Sequence, residues 1–464
     1  MNAAAPSAHP RPALIVVSGG GVRPDAGPPE EGSRLLHLLD ALPPASRVLE
    51  IGGRETRLSS QYTARHPHAE WMRIAPASLA QSAPTQPFDL IVIDRLDELH
   101  DPVSALEALA PLVKAEGELY ASVSNKATLS SMARLIEGDL SSGVAAYHGS
   151  AFTLDQALPR WHSPSTVFKL MLDAGWTPHV VHCEAASEPD ARLASAARAM
   201  GEALGVPQGV VDKIHRTESF VVRGRRQFEE PVQVSYEAVF DVLVPTNKEQ
   251  QLRVNVEQSP GLSEVAARII SYRGAATPAE ALEGAQACLQ RDWVLLCHQD
   301  VYFPRHFGHR LNALLSSIPE EERARTLIGF VGMGVNRSTE APEPAGFVVD
   351  RLHTADHPES DAAISIDELA IVVARDSLHR IDPRIGWHLW ATDLCLTAIC
   401  EHRVFPRIVR MPVFHNSQTG WHLPDAFVES AAYLLEKFPA FTTIHSLCGQ
   451  LDKAFVNQHR KAKT

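Results

Sequence analysis

The chain has little of what a secreted, membrane-spanning or nucleic-acid-binding protein needs. Only 6 of its 464 residues are cysteine (Cys183, Cys288, Cys297, Cys395, Cys400 and Cys448), and none stand as a CxxC pair. A disulfide framework and structural zinc are therefore not expected, and a reducing, cytoplasmic setting is. No window approaches the ~18 continuous apolar residues of a spanning helix. The apolar runs at 90–93 and 293–297 have the length of buried strands, so a soluble protein is expected. Residues 1–12 are Ala- and Pro-rich without a basic region leading into an apolar core, unlike a signal peptide. Positive charge is scarce as well: 43 Lys+Arg face 55 Asp+Glu, a formal net charge of −12. Nucleic acid is thus an unexpected partner, because no global positive field concentrates a polyanion.

What is present is a length that fits two or three domains at roughly 100–200 residues each. The charged stretch Arg223-Gly224-Arg225-Arg226 through Glu229-Glu230-Pro231 lies between apolar runs and reads as a linker. Short apolar runs alternate with helical patterns on both sides of it, as in α/β domains with mostly parallel sheets. The expected division is a flexible segment at 1–32, a first domain at 33–222, a linker at 223–236, a second domain at 237–455 and a basic tail at 456–464. Strands are expected at 47–51, 88–94, 119–123, 238–244, 294–297 and 366–374.

In the first half, Val48-Leu49-Glu50-Ile51-Gly52-Gly53, Phe88 to Asp94 followed by Leu99-His100-Asp101-Pro102, Gly117-Glu118-Leu119 and Leu172-Asp173-Ala174-Gly175-Trp176 follow one another. Their order resembles the class I S-adenosylmethionine-dependent methyltransferases. The resemblance implies a Rossmann-like fold and a cofactor site at Glu50, Gly52, Gly53 and Asp94, with His100 and Asp101 on the substrate side. Two of the family's three motif glycines are replaced by Arg54 and Thr56, and the 71–76 segment has no ribose-binding acid. A retained scaffold is therefore the expectation, and S-adenosylmethionine binding the alternative. Asp94, His100 and Asp101 also fit as ordinary helix caps.

The second half is more specific. A helical pattern at 279–289 leads into Trp293-Val294-Leu295-Leu296-Cys297-His298-Gln299-Asp300-Val301. A helix followed by a short apolar strand stopping at a carboxylate resembles the GT-A glycosyltransferases. The match is to the inverting family-2 type, in its streptomycin-biosynthesis-like branch, where His-Gln-Asp-Val replaces the more usual Asp-x-Asp. The resemblance implies a nucleotide-sugar donor, a hydroxyl acceptor on a saccharide, glycoprotein or metabolite, and Mn²⁺ or Mg²⁺ to offset charge on the leaving diphosphate. Asp300 is the expected metal ligand, with Gln299 and His298 as ligands or supports. His415, in Phe414-His415-Asn416-Ser417, stands where the fold often supplies a late histidine, and an imidazole suits Mn²⁺ better than Mg²⁺.

Within Gly386-Trp387-His388-Leu389-Trp390-Ala391-Thr392-Asp393-Leu394, Asp393 matches the family's acid before leucine and is the expected base; the alternative is a helix N-terminal acid favoured by the macrodipole. Trp387, His388 and Trp390 are either a stacking platform for sugars or plain core. Thr246 or Asn247, after the strand at 238–244, would meet the nucleotide base or form a turn. Gly329, Gly332 and Gly334 would bring backbone near the acceptor or make a turn, and Arg351 and Arg375 would neutralise phosphates or lie on the surface. The stretch 427–438 reads as a helix covering the sheet in preference to one meeting a membrane. The expected function is a metal-dependent inverting glycosyltransferase, as in polysaccharide assembly, fused to a methyltransferase-like scaffold. The alternatives are a bifunctional glycosyltransferase and O-methyltransferase, or an interaction protein that has lost both activities.

Overall fold

A computed structural model describes residues 31–52, 57–79, 86–99, 101–125, 163–185, 191–203, 208–227, 233–351, 353–417 and 423–461, with positions 84, 128, 129 and 131 between them. In the first half β1 (Arg47–Ile51), β2 (Glu70–Ile74), β3 (Phe88–Ile93), β4 (Val113–Ser124), β5 (Trp176–Ala185) and β6 (Thr217–Arg226) form a sheet in the order β2-β1-β3-β4-β6-β5. Strands β1 to β4 are parallel neighbours, and β6 runs antiparallel between β4 and β5. This is the Rossmann-like methyltransferase strand order. Residue alternation separates the two cores: Val48, Leu90 and Val92 pack under the helices Glu31–Ala41 and Leu58–Arg65. Leu49, Ile51, Ile91 and Ile93 face the opposite way, toward Pro102–Leu109 and Pro164–Asp173. Strands covered on both faces read as continuous apolar runs, which is why these segments were legible.

The second half holds, in chain order, β7 (Phe240–Thr246), β8 (Arg268–Arg273), β9 (Trp293–Cys297), β10 (Val301–Tyr302), β11 (Leu327–Gly329), β12 (Val331–Val335), β13 (Pro342–Asp350), β14 (His353–Asp356), β15 (Ala363–Ile366), β16 (Ala370–Ala374), β17 (Arg407–Ile408) and β18 (Phe414–His415). One sheet is ordered β17-β11-β16-β9-β7-β8, and the other β10-β18-β13-β12-β15 with β14 beside β13. Strands β7, β8 and β9 are parallel, and β16 is antiparallel to β9. The chain as a whole is mixed α/β.

Four expectations need correction. Arg223 to Arg226 are not linker but the end of β6, bonded to β4 and β5, with Glu118 taking the charge of Arg225 at 2.7 Å. The 366–374 run is two strands, β15 and β16. They part at Asp367-Glu368-Leu369, where the Asp367 carboxylate accepts the Leu369 amide at 3.0 Å and bends the chain. The basic tail begins as a helix, Lys453–Lys461, that buries Val456 in the core. Gly329, Gly332 and Gly334 lie in strands, not in a turn: a Cβ at Gly332 would strike the Ser365 carbonyl, and one at Gly329 the Ile366 side chain. The helix Asp425–Lys437 covers the sheet, burying Phe427, Val428, Ala431 and Leu434. Among the described residues no helix is long and apolar enough to cross a membrane.

Candidate functional site

A cleft of about 310 Å³ opens where the parallel strands of the second half end. Pro245, Thr246 and Asn247 from the end of β7, Tyr272 from β8 with Gly274 just after it, and His298, Gln299 and Asp300 after β9 line it. Glu368, Trp387, His388 and Trp390 line it as well. Carboxyl ends of parallel strands are where ligands bind in open α/β sheets, because the chain must splay into loops there.

Gln299 organises the β7 end of the cleft. Its Oε1 accepts from Thr246 Oγ1 (2.6 Å), the Asn247 amide (3.0 Å) and the Lys248 amide (2.9 Å), while its Nε2 donates to Asn247 Oδ1 (2.9 Å). Gln299 is thus spent on holding the β7 loop rather than aimed at a ligand. His298, Asp300 and His415 converge, with one donor atom from each lying within 4.8 Å of the others. The strands bring them together: β10 pairs antiparallel with β18, setting Val301 opposite His415, and the Asn416 amide donates to the Asp300 carbonyl at 2.8 Å. His415 Nε2 lies 3.5 Å from Asp300 Oδ1. Burial works against charge on His415, but the carboxylates of Asp300, Asp350 and Asp367 outweigh it and raise the imidazole to about 9. Burial would likewise raise Asp300, and the two imidazoles overcome it and hold the carboxyl well below its ordinary range. Burial pushes the His298 imidazole down, against the pull of Asp300. Two imidazoles and a carboxylate in this reach form a donor set that fits a divalent transition ion.

Trp387 and Trp390 both border the cleft; Trp390 is 2% exposed and packs into the core, and its indole N–H has no partner. Asp393 is not among the cleft-lining side chains. It is fully buried, and its Oδ1 takes a 2.6 Å bond from Lys437, whose ammonium also reaches Asp382 at 3.0 Å. That ion pair joins the helix Trp390–His402 to the helix Asp425–Lys437 and gives Asp393 a structural setting. The other carboxylate lining the cleft, besides Asp300, is Glu368, which sequence reasoning missed. Its Oε1 has no partner, and burial followed by the neighbouring Asp367 charge pushes it up to about 8. The signal was an acidic pair interrupting a β-branched run. Arg351 bonds to Ser417 Oγ at 3.2 Å and, like Arg375, does not line the cleft.

A second cluster, Glu264, His306 and His309, is spent on structure. Glu264 caps the helix Phe307–Ser316 by accepting the His306 amide at 2.7 Å. His309 Nδ1 accepts the Ser235 amide at 3.2 Å, which puts the ring proton on Nε2, facing Glu264.

In the first half, Glu50 is fully buried, its Oε2 accepting from Trp71 (2.8 Å) and Arg73 (2.9 Å). Asp94 faces Arg34 at 3.2 Å and accepts from Ser122 at 3.1 Å; burial raises its carboxyl despite both. A Cβ at Gly52 would meet only Glu50 Oε1, at 3.8 Å, so the backbone there is approachable. Gly53, Arg54, Thr56 and His100 lie outside the described residues. Asp101 caps the helix Pro102–Leu109 by accepting the Ser104 amide at 3.1 Å. Arg73, near the end of β2, stands where a ribose-binding carboxylate would be needed and is paired with Glu50.

No protein-family model matches the chain, and no curated protein matches it. Solved structures with similar parts include a SAM-dependent methyltransferase of Thermotoga maritima described as a possible histamine N-methyltransferase, at 16% identity over 42% of this chain and 88% of that one, TM-score 0.27. Others are the plantazolicin methyltransferase BpumL in complex with SAH, at 12% over 42% and 81%, TM-score 0.25, and an O-methyltransferase of a Brevibacillus brevis polyketide synthase, at 8% over 42% and 71%, TM-score 0.25. The methyltransferase-like reading of the first sheet rests on its own strand order rather than on these values.

Proposed function

We propose that the chain is a metal-dependent inverting glycosyltransferase of the GT-A type that takes a nucleotide sugar, with its methyltransferase-like half serving as scaffold. The observation that carries this reading is one cleft lined by His298, Asp300, the loop clamped by Gln299, the two tryptophans and Glu368, with His415 behind it completing the His298–Asp300–His415 trio. His298, Asp300 and His415 would hold a divalent ion, Mn²⁺ in preference to Mg²⁺, and such an ion supplies the positive charge that a departing nucleoside diphosphate needs. The protein cannot supply it globally at a net charge of −12. Thr246 and Asn247, held by Gln299, form the edge against which the base is placed. Trp387 stacks on a sugar ring, and the unpartnered N–H of the buried Trp390 donates to a hydroxyl. Glu368 Oε1 accepts the proton of the acceptor hydroxyl as its oxygen bonds to the anomeric carbon and the bond to the diphosphate breaks. A base raised toward neutral pH is matched to that transfer.

Nucleoside diphosphate release over a panel of nucleotide sugars with Mn²⁺ tests the reading. Turnover with one donor, abolished by Asp300→Ala, supports it. No turnover with any donor, or full turnover in Asp300→Ala, ends it. A second reading, in which the first half also methylates the sugar or its acceptor, is favoured by its strand order and the approachable Gly52 backbone. Calorimetric titration with S-adenosylmethionine separates the two, since only the second predicts micromolar binding that Gly52→Arg removes.

A further inference from the structure

Asp300 leads directly into β10 and His415 lies in β18; both strands are two residues long and pair with each other through Val301–His415 and Tyr302–Phe414. On its other side β18 pairs with β13 through Val349–Phe414 and Asp350–His415, whereas β10 has no second strand neighbour in that sheet. A ladder of that length fixes little by itself, and further support comes from the other half of the chain. The helix Pro164–Asp173, which belongs to the methyltransferase-like sheet, ends directly against it. Lys169 Nζ stands 4.5 Å over the Tyr302 ring and 5.5 Å from that of Phe414, so one ammonium bridges the faces of both strands. The same ammonium donates to the Val254 carbonyl and to Asn255 Oδ1, each at 2.9 Å. Asn255 Oδ1 in turn accepts from Asn416, the residue after His415, at 3.4 Å. One turn later Asp173 accepts the Tyr302 hydroxyl at 2.7 Å and the Arg305 amide at 3.2 Å. Tyr302 and Phe414 are buried in the first half's core cluster, beside Phe168 and Met171.

We infer that Lys169 and Asp173 are positioning residues for the metal centre: the methyltransferase-like half sets the separation of Asp300 and His415 by bracing the strands that hold them. This rests on the metal-site reading proposed above. It also assigns the first half a task that needs no cofactor. Groups that fix the orientation of metal ligands are commonly worth about 10–100-fold in affinity, so loss of either brace is expected to weaken metal binding by about tenfold.

The test is Mn²⁺ binding to the full chain, followed by electron paramagnetic resonance of free Mn²⁺, with thermal unfolding measured alongside. Lys169→Met keeps the stem over the rings and removes the charge and both hydrogen bonds. Tyr302→Phe removes only the hydroxyl to Asp173. Glu107→Gln breaks the exposed 2.6 Å ion pair with Arg305, which also spans the two halves but does not touch the ladder. Weaker Mn²⁺ binding in Lys169→Met and Tyr302→Phe, with wild-type affinity in Glu107→Gln, is the expected pattern. Wild-type affinity in all three overturns the inference. Equal weakening in all three overturns it too, since any disturbance of the interface would then suffice. Should Lys169→Met not fold, the Tyr302→Phe and Glu107→Gln pair decides alone. A wild-type chain that binds no Mn²⁺ defeats the metal reading itself, a separate result.

Discussion

Proton competition at His415 gives a direct test of the proposed metal centre. With no metal bound, Asp300 and its acidic neighbours hold this imidazole up to about 9 against burial, so at neutral pH it is an imidazolium paired with Asp300. A metal ligand must be the neutral ring, so binding has to expel that proton. Two pH units below a pKa of about 9, only about 1 ring in 100 is neutral, and the apparent affinity at pH 7 should lie about 100-fold below its limiting value. It should climb about tenfold per pH unit between pH 6.5 and 8.5, with about one proton released per ion bound. Calorimetric Mn²⁺ titrations at pH 6.5, 7.5 and 8.5, each in two buffers of different ionisation enthalpy, read both quantities. In Asp300→Asn the nearest countercharge is gone and only Asp350 and Asp367 oppose burial, so His415 should titrate well below about 9. An affinity flat with pH and no proton release would refute the argument. The same pair affects the stability of the metal-free chain. A raised histidine stabilises below its unfolded pKa and loses that contribution as pH rises through about 9, and the depressed Asp300 loses its share only in strong acid.

Further consequences can be measured separately. Glu368→Gln should lower turnover by about 10²–10⁴-fold while leaving Mn²⁺ affinity unchanged, and wild-type turnover should rise with pH as this raised carboxyl ionises; steady-state rates from pH 6 to 9 check both. Gln299→Ala deletes all four bonds that hold the β7 loop. At a net ~1 kcal/mol each, discounted for partial exposure, it should cost about 2–3 kcal/mol in urea unfolding and raise the KM for the nucleotide sugar. Gly346 adopts φ +87° with the Phe330 carbonyl where a Cβ would sit, so Gly346→Ala should destabilise by about 3 kcal/mol or more, seen as a lowered melting temperature. Asp393→Asn should reduce stability by weakening the Lys437 pair yet retain turnover, and loss of turnover in a folded Asp393→Asn would return Asp393 to the reaction.

The strands were legible where burial on both faces makes runs such as 88–93 and 293–297 continuously apolar. Burial of that kind leaves a mark in composition. Asp300 was legible because a carboxylate ending such a run is conspicuous. The role of Gln299 was not, since its bonds go to residues 51 to 53 positions earlier, placed there by the pairing of β7 with β9. Asp393 misled for the converse reason. Its spacing fits the motif, but its partner Lys437 lies 44 residues on, in a helix whose docking no local pattern reveals. Glu368 was hidden inside a β-branched run whose break depends on one side chain, Asp367, bonding back to the chain.

The core of the first half includes Tyr302, Phe347, Val349 and Phe414, all from the second half and none more than 7% exposed. A cut near residue 230 would therefore not release two self-sufficient pieces. Each fragment would carry an uncovered aromatic and aliphatic face, prone to self-association when expressed alone. A relative that dispensed with the first half would have to repaint positions 302, 347, 349 and 414 with polar side chains. Those four positions, read together in any related chain, would report whether the two halves still travel as one.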